Sequence, residues 1–118
     1  MKLSGVIHIL KASLLCGDEK LEIEVEKVGA SDLMSDILAA AQSEGSILLT
    51  GLTNVQAIKT AVISGADAIV FVRNKRPPEE VIDLAKSHGI PLLSTPFSMF
   101  VSAGRLYASG FTGLNGAR

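Results

Sequence analysis

Three short polar clusters hold the residues that could do chemistry: Thr50-Gly51-Leu52-Thr53-Asn54, Arg73-Asn74-Lys75-Arg76 and Ser94-Thr95-Pro96. Thr50, Thr53, Ser94 and Thr95 offer hydroxyls, and Asn54 and Asn74 offer amides. Arg73 adds a guanidinium suited to bidentate contact with an anion. Gly51 stands between an apolar run and a helical pattern, the position of a phosphate-binding turn. The chain has neither G-x-G-x-x-G nor G-x-x-x-x-G-K-[ST]. Gly51 therefore also reads as an ordinary tight turn, and Thr53 and Asn54 as helix caps. Arg73, Lys75 and Arg76 read equally as an anion clamp or as a solvated loop paired with Glu79 and Glu80.

Nothing in the remaining residues makes a catalyst. His8 and His88 are distant in sequence, and neither has an evident partner. His88 suits a helix C-terminus. Cys16 has no C-x-x-C partner and reads as a small buried hydrophobe. No serine lies in a G-x-S-x-G elbow. Glu22, Glu24 and Glu26 read as the wet face of a strand and as a guard against edge pairing, with metal binding the minor alternative. No ligand cluster for a metal is visible, and no cofactor is expected.

The elements that must position the clusters follow from hydrophobic spacing. Ser46–Thr50, Ala68–Val72 and Pro91–Ser94 are near-continuous apolar runs, the pattern of strands buried on both faces. Helical spacing separates them. One helix follows Asn54, with Val55, Ile58, Ala61 and Val62 inward and Gly65 as its stop. Another begins at Pro77-Pro78-Glu79-Glu80, turns Val81, Leu84 and Ala85 inward, and closes at His88-Gly89. Strands and helices in alternation predict a mostly parallel sheet. The three clusters then share one sheet edge, where ligands bind such folds.

The flanks are read in the same way. Leu3, Val6, Ile7 and Leu10 predict a first helix capped by Ser4, and Leu14–Cys16 a brief strand. Alternation over residues 21–25 predicts a strand. Met34, Ile37, Leu38 and Ala41 predict a helix over 32–42, capped by Ser31 or Asp32. A last helix over Ser98–Ala108 carries Phe100, Ala103 and Tyr107 on one stripe. The expected domain is 1–109, with 110–118 a flexible tail.

Composition sets limits. With 118 residues the chain is one domain by size. Apolar residues make up 47% but aromatics only 4%, so the core must be aliphatic. A net charge of −1 gives no general pull toward nucleic acid or acidic membranes. A single cysteine excludes an internal disulfide and fits a reducing compartment. No apolar run approaches the roughly 20 residues that span a bilayer, and the N-terminus makes a poor signal peptide. The expected location is cytoplasmic.

The segment from about Ser46 to Tyr107 resembles the DRTGG domain. The resemblance lies in Ile47-Leu48-Leu49-Thr50, in Gly65-Ala66-Asp67-Ala68-Ile69-Val70 and in Arg76-Pro77-Pro78-Glu79-Glu80-Val81. It continues through Leu84-Ala85-Lys86-Ser87-His88-Gly89-Ile90-Pro91-Leu92-Leu93-Ser94-Thr95 and Ala103-Gly104-Arg105-Leu106. Met1-Lys2-Leu3-Ser4, Gly17 and Ser31-Asp32-Leu33-Met34-Ser35-Asp36 look like the short stand-alone members. Where relatives carry a Thr-Gly-Gly-like turn, this chain has Val72-Arg73-Asn74.

The resemblance implies an accessory domain that is not itself an enzyme. Relatives sit beside CBS domains in some family II pyrophosphatases and at the N-terminus of some phosphotransacetylases. The N-terminal domain of HPr kinase/phosphorylase is similar in fold, but its kinase chemistry lies in a separate P-loop domain. The resulting expectation is a three-layer, Rossmann-like α/β domain that is homodimeric. It would bind a small anionic metabolite or nucleotide through Thr50, Gly51, Thr53, Asn54, Arg73, Asn74, Ser94 and Thr95. The alternative is a protein–protein interaction module whose polar tips only cap helices.

Overall fold

Adjacent residues of the buried runs go to opposite cores. Ile47 and Leu49 join one apolar cluster while Leu48 joins the other. Ala68, Val70 and Val72 likewise oppose Ile69 and Phe71, and Leu93 opposes Leu92. That period of two means a sheet buried on both faces, because successive side chains of a strand point to opposite sides. The computed structural model describes residues 1–40 and 44–114.

The strands are β1 (Ser13–Cys16), β2 (Lys27–Ala30), β3 (Ser46–Thr50), β4 (Ala68–Phe71), β5 (Leu92–Ser94) and β6 (Thr112–Gly113). They form one six-stranded sheet in the order β1-β5-β4-β3-β2-β6. All neighbours pair in parallel except β1, which runs antiparallel to β5. The helices are α1 (Leu3–Leu10), α2 (Met34–Ala39), α3 (Val55–Ser64), α4 (Glu79–Ser87) and α5 (Met99–Ala108). Residues of α2, α3 and α4 pack in one cluster and those of α1 and α5 in the other. The result is the expected three-layer, Rossmann-like arrangement.

Several local expectations hold for the reasons given. Asn54 caps α3 by accepting from the Gln56 N–H at 3.0 Å, and Gly65 ends that helix at φ 77°. The last helix is present as α5, and Ser98, which the sequence reading did not single out as a cap, accepts from the Val101 N–H at 3.2 Å. Pro78 precedes α4, whose first turn carries Glu79 and Glu80.

Others fail. Residues 21–25 form no strand: Leu21 has helical backbone angles and Glu24 makes only an isolated bridge to Lys2. Their carbonyls cap the first turn of α1 instead, Ile23 O accepting from Leu3 N and Leu21 O from Ser4 N. Glu22 pairs with Lys2 at 2.6 Å and Glu24 with the N-terminal amine at 3.0 Å. The hydrogen bond that Lys2 donates to Glu22 holds its ammonium above the ordinary pKa. The strand lies one step later, at β2, where Gly29 is buried against Leu114 and Ile37. Lys2, not Ser4, occupies the cap position of α1, and no side chain caps it. Leu33 takes that position before α2, so neither Ser31 nor Asp32 caps it. Leu38 is exposed, and Ala41 lies outside the described residues.

Val55 and Val62 face solvent, while Ala57, Ile58, Thr60 and Ala61 fill the inner face of α3. On α5 the inward positions are Ser102 and Leu106, and Phe100 is 87% exposed. The chain after Gly110 is not loose throughout. Phe111 and Leu114 are buried, and β6 pairs with β2. Residues 115–118 lie outside the described part. Among the described residues no helix is long and apolar enough to cross a membrane.

Candidate functional site

Parallel neighbours end together, so β3, β4 and β5 deliver Thr50, Phe71 and Ser94 to one edge. The three polar clusters follow these ends. Backbone bonds stitch them: Val72 N donates to Thr50 O at 3.1 Å, Asn74 N to Thr95 O at 2.8 Å and Arg73 N to Phe97 O at 2.9 Å. Ser94 Oγ donates to Lys75 O at 2.8 Å. The structure therefore brings Thr50, Gly51, Arg73, Asn74, Ser94 and Thr95 together, with Thr53 and Asn54 continuing from Gly51 into α3.

These residues are not equally available. Thr95 is buried, its Oγ1 donating to Leu10 O at 2.6 Å and accepting from Phe97 N at 3.3 Å. Thr50 is buried, its Oγ1 donating to Asp32 Oδ1 and accepting from Leu52 N, both at 3.1 Å. Ser94 and Asn54 have the partners already given. Thr53 is half-buried, and Arg73 and Asn74 are exposed.

Arg73 and Asn74 share an unusual backbone. Both have φ 57°, the left-handed region that glycine enters without penalty and other residues seldom occupy. Asn tolerates it through local hydrogen bonding, whereas Arg has no such compensation. Their N–H groups are tied to the chain leaving β5, and both residues are exposed.

Gly51 is enclosed by charge. Its N–H donates to Asp32 Oδ1 at 2.6 Å and its carbonyl accepts from Lys75 Nζ at 3.1 Å. A Cβ here would lie 3.3 Å from both Asp32 Oδ1 and Lys75 Nζ. A side chain here would press on both polar groups, so a larger residue would have to shift Asp32 or Lys75. Asp32 is the site residue that sequence reading missed. Its type and position before an apolar helix pointed to a cap, and only the β2–β3 pairing places it against Gly51.

Chemically the edge is cationic, with Arg73 and Arg76 exposed and Lys75 half-buried. Such a set holds anions. His8 on α1 and His88 at the end of α4 lie on opposite faces of the sheet. Cys16 is buried with Sγ 3.6 Å from Ile90 O, and burial pushes its thiol pKa up, away from reactivity. Among the described residues no group of three or more His, Cys, Asp or Glu side chains is placed to hold a metal. A cleft of about 560 Å³ opens at the opposite sheet edge, but Glu24, Glu26, Glu44 and Asp67 line it and would repel an anion.

Comparison with known proteins agrees with this architecture. The family model described as DRTGG domain matches residues 5–109. The chain superimposes with a TM-score of 0.73 and 20% identity on a crystal structure from Clostridium perfringens. That structure comprises the CBS and DRTGG domains of the regulatory region of a pyrophosphatase, complexed with the activator diadenosine tetraphosphate. The match covers 97% of this chain and 48% of that one, so this chain spans about half its length. No curated protein matches.

Proposed function

The chain belongs to the DRTGG domain family, and from that premise we propose a non-catalytic regulatory domain that binds a small phosphate-bearing metabolite, a nucleotide foremost. The ligand sits at the C-terminal edge of the sheet. The domain acts as a homodimer, in keeping with a charge-poor aliphatic composition.

One observation carries the reading. Arg73 has φ 57° in a turn hydrogen-bonded to the chain leaving β5, beside Lys75 and Arg76, and is exposed. A non-glycine residue in that region is strained, and such strain collects at binding sites. Arg73 and Asn74 are the direct contacts, with Thr53 beside them. Ser94, Thr95 and Asn54 shape the edge through the partners they already hold, and Thr50 and Gly51 offer it the donors that Asp32 holds in this structure. The fold shared with the pyrophosphatase regulatory region, whose complex contains a dinucleotide activator, supports a nucleotide as the ligand class.

The test is a thermal-shift screen of nucleotides, dinucleoside polyphosphates, sugar phosphates and acyl phosphates. A ligand at 100 times its Kd stabilises by about 2.7 kcal/mol. Arg73→Gly removes the side chain and relieves the backbone, so it should abolish the shift without lowering the unliganded Tm. If no phosphate-bearing ligand moves the parent's Tm, the reading fails. Light scattering of the same sample tests the dimer.

A second reading is a pure interaction module. Phe100 and Ile63, 87% and 73% exposed, favour it. Capture of a protein partner by a chain that ignores every phosphate ligand would support it.

A further inference from the structure

We propose that Asp32 is a built-in competitor for the anion site, and that a bound anion displaces it and loosens α2. The inference rests on the strand-edge reading given above and adds its regulation.

The geometry is that of an anion hole already filled. Gly51 N–H at 2.6 Å and Thr50 Oγ1 at 3.1 Å converge on one oxygen, Asp32 Oδ1. Lys75 Nζ donates to Gly51 O at 3.1 Å and lies 3.3 Å from the same Cβ position that Asp32 Oδ1 contacts at 3.3 Å. Two donors converging on one anionic oxygen, with an ammonium nearby, is how a turn holds a phosphate oxygen. Here the chain supplies the carboxylate itself.

Asp32 is suited to leave. Its residue is exposed, so the freed carboxylate passes directly into water. It belongs to the Ser31–Leu33 turn, which is held locally by Leu33 N donating to Ser31 Oγ at 2.9 Å. The turn leads straight into α2, a six-residue helix anchored by Met34 and Ile37. A helix that short has little stability of its own. Besides the packing of Met34 and Ile37, its polar ties to the sheet edge are Asp32 and Ser31 N, which donates to Leu49 O at 3.1 Å. Occupancy of Gly51 by an outside anion therefore reports to α2.

Inorganic tripolyphosphate is the probe, because the inference concerns the phosphate chain rather than a base. Calorimetry at fixed ionic strength compares the parent with Asp32→Ala and Asp32→Asn. Asp32→Ala should bind about tenfold tighter, within the usual range of coupling between sites. Asp32→Asn keeps an oxygen for Gly51 N–H without its charge and should fall between the two. It also carries the test if the alanine variant folds poorly. The gain should vanish in Asp32→Ala/Lys75→Met. Hydrogen exchange over Met34–Ala39 should rise when tripolyphosphate binds the parent, and should already be high in Asp32→Ala.

A parent that binds nucleotides while neither variant binds tripolyphosphate more tightly overturns the competitor and leaves the strand-edge reading standing. Binding by the variants alone supports the competitor and overturns the parent as a nucleotide sensor. Binding by none of the three overturns both.

Discussion

Thr95 Oγ1 donates to the carbonyl of Leu10 at 2.6 Å, a buried bond between residues 85 positions apart. It ties the last turn of α1 to the exit of β5 and satisfies a helix C-terminal carbonyl that has no partner further along the helix. Thr95→Val keeps the shape and removes the donor. Leaving that carbonyl buried and unpaired should cost about 1–3 kcal/mol. Chemical denaturation should show the loss as a lower midpoint with an unchanged slope.

Ser102 is the reverse case. It is fully buried in α5, and among the described residues its hydroxyl has no hydrogen-bond partner. Ser102→Ala removes an unsatisfied group and improves helix propensity, so the domain should gain about 1 kcal/mol. Calorimetric Tm should rise by several degrees. A fall would mean that the hydroxyl has a partner in solution, such as a bound water.

The same substitution should have opposite signs at two glycines. At Gly17, φ is +92° and a Cβ would sit 2.5 Å from both Pro91 Cα and Cβ. Gly17→Ala should cost about 2 kcal/mol or more, since the backbone and the close approach both resist it. At Gly104, inside α5, a Cβ meets nothing within 4 Å. Gly104→Ala should gain about 0.5–1 kcal/mol. Parallel melts of the two variants check both signs.

Burial raises the Cys16 thiol pKa, with a smaller opposing effect from the hydrogen bond the sulfur accepts from the Leu92 backbone. A group raised in the folded state contributes full stability below its unfolded pKa, about 8.5 for Cys. That contribution disappears as pH rises through the folded value. Stability should therefore fall in the alkaline range beyond pH 8.5, and Cys16→Ala should flatten that part of the curve. Tm measured from pH 7 to 10 in both proteins checks it. A thiol reagent should label native Cys16 slowly and the unfolded chain at once.

The sequence by itself determined the central frame. Ile47-Leu48-Leu49 and Ala68-Ile69-Val70-Phe71 have no polar face, so only a sheet covered on both sides can bury them. Asn54, Gly65 and the Pro77-Pro78-Glu79-Glu80 start acted locally, through capping and backbone geometry, and those effects are legible within a few residues. The convergence of the three clusters followed from parallel order alone. The chain also resembles its family in this same stretch.

Only the tertiary structure decided the rest, because the deciding partners are far away in sequence. Leu21, Ile23 and Val25 alternate like a strand, yet their carbonyls and amides are used by the start of α1 and by Met1, so no ladder forms. Phe111 and Leu114 sit in a glycine-rich stretch that looks loose, but the open edge of β2 and the space beside Gly29 hold them. Asp32 resembled a cap until β2 paired with β3 and put its carboxylate on Gly51. Arg73, with Lys75 and Arg76, reads in the sequence as an anion clamp or a solvated loop, and nothing there marks an unusual backbone at Arg73 and Asn74. Their bonds to Phe97 O and Thr95 O, made by β5's exit, impose the left-handed backbone. Local propensity writes helices and buried strands into a sequence. Which carbonyl, carboxylate or edge will meet a given residue is settled only when the strands take their order.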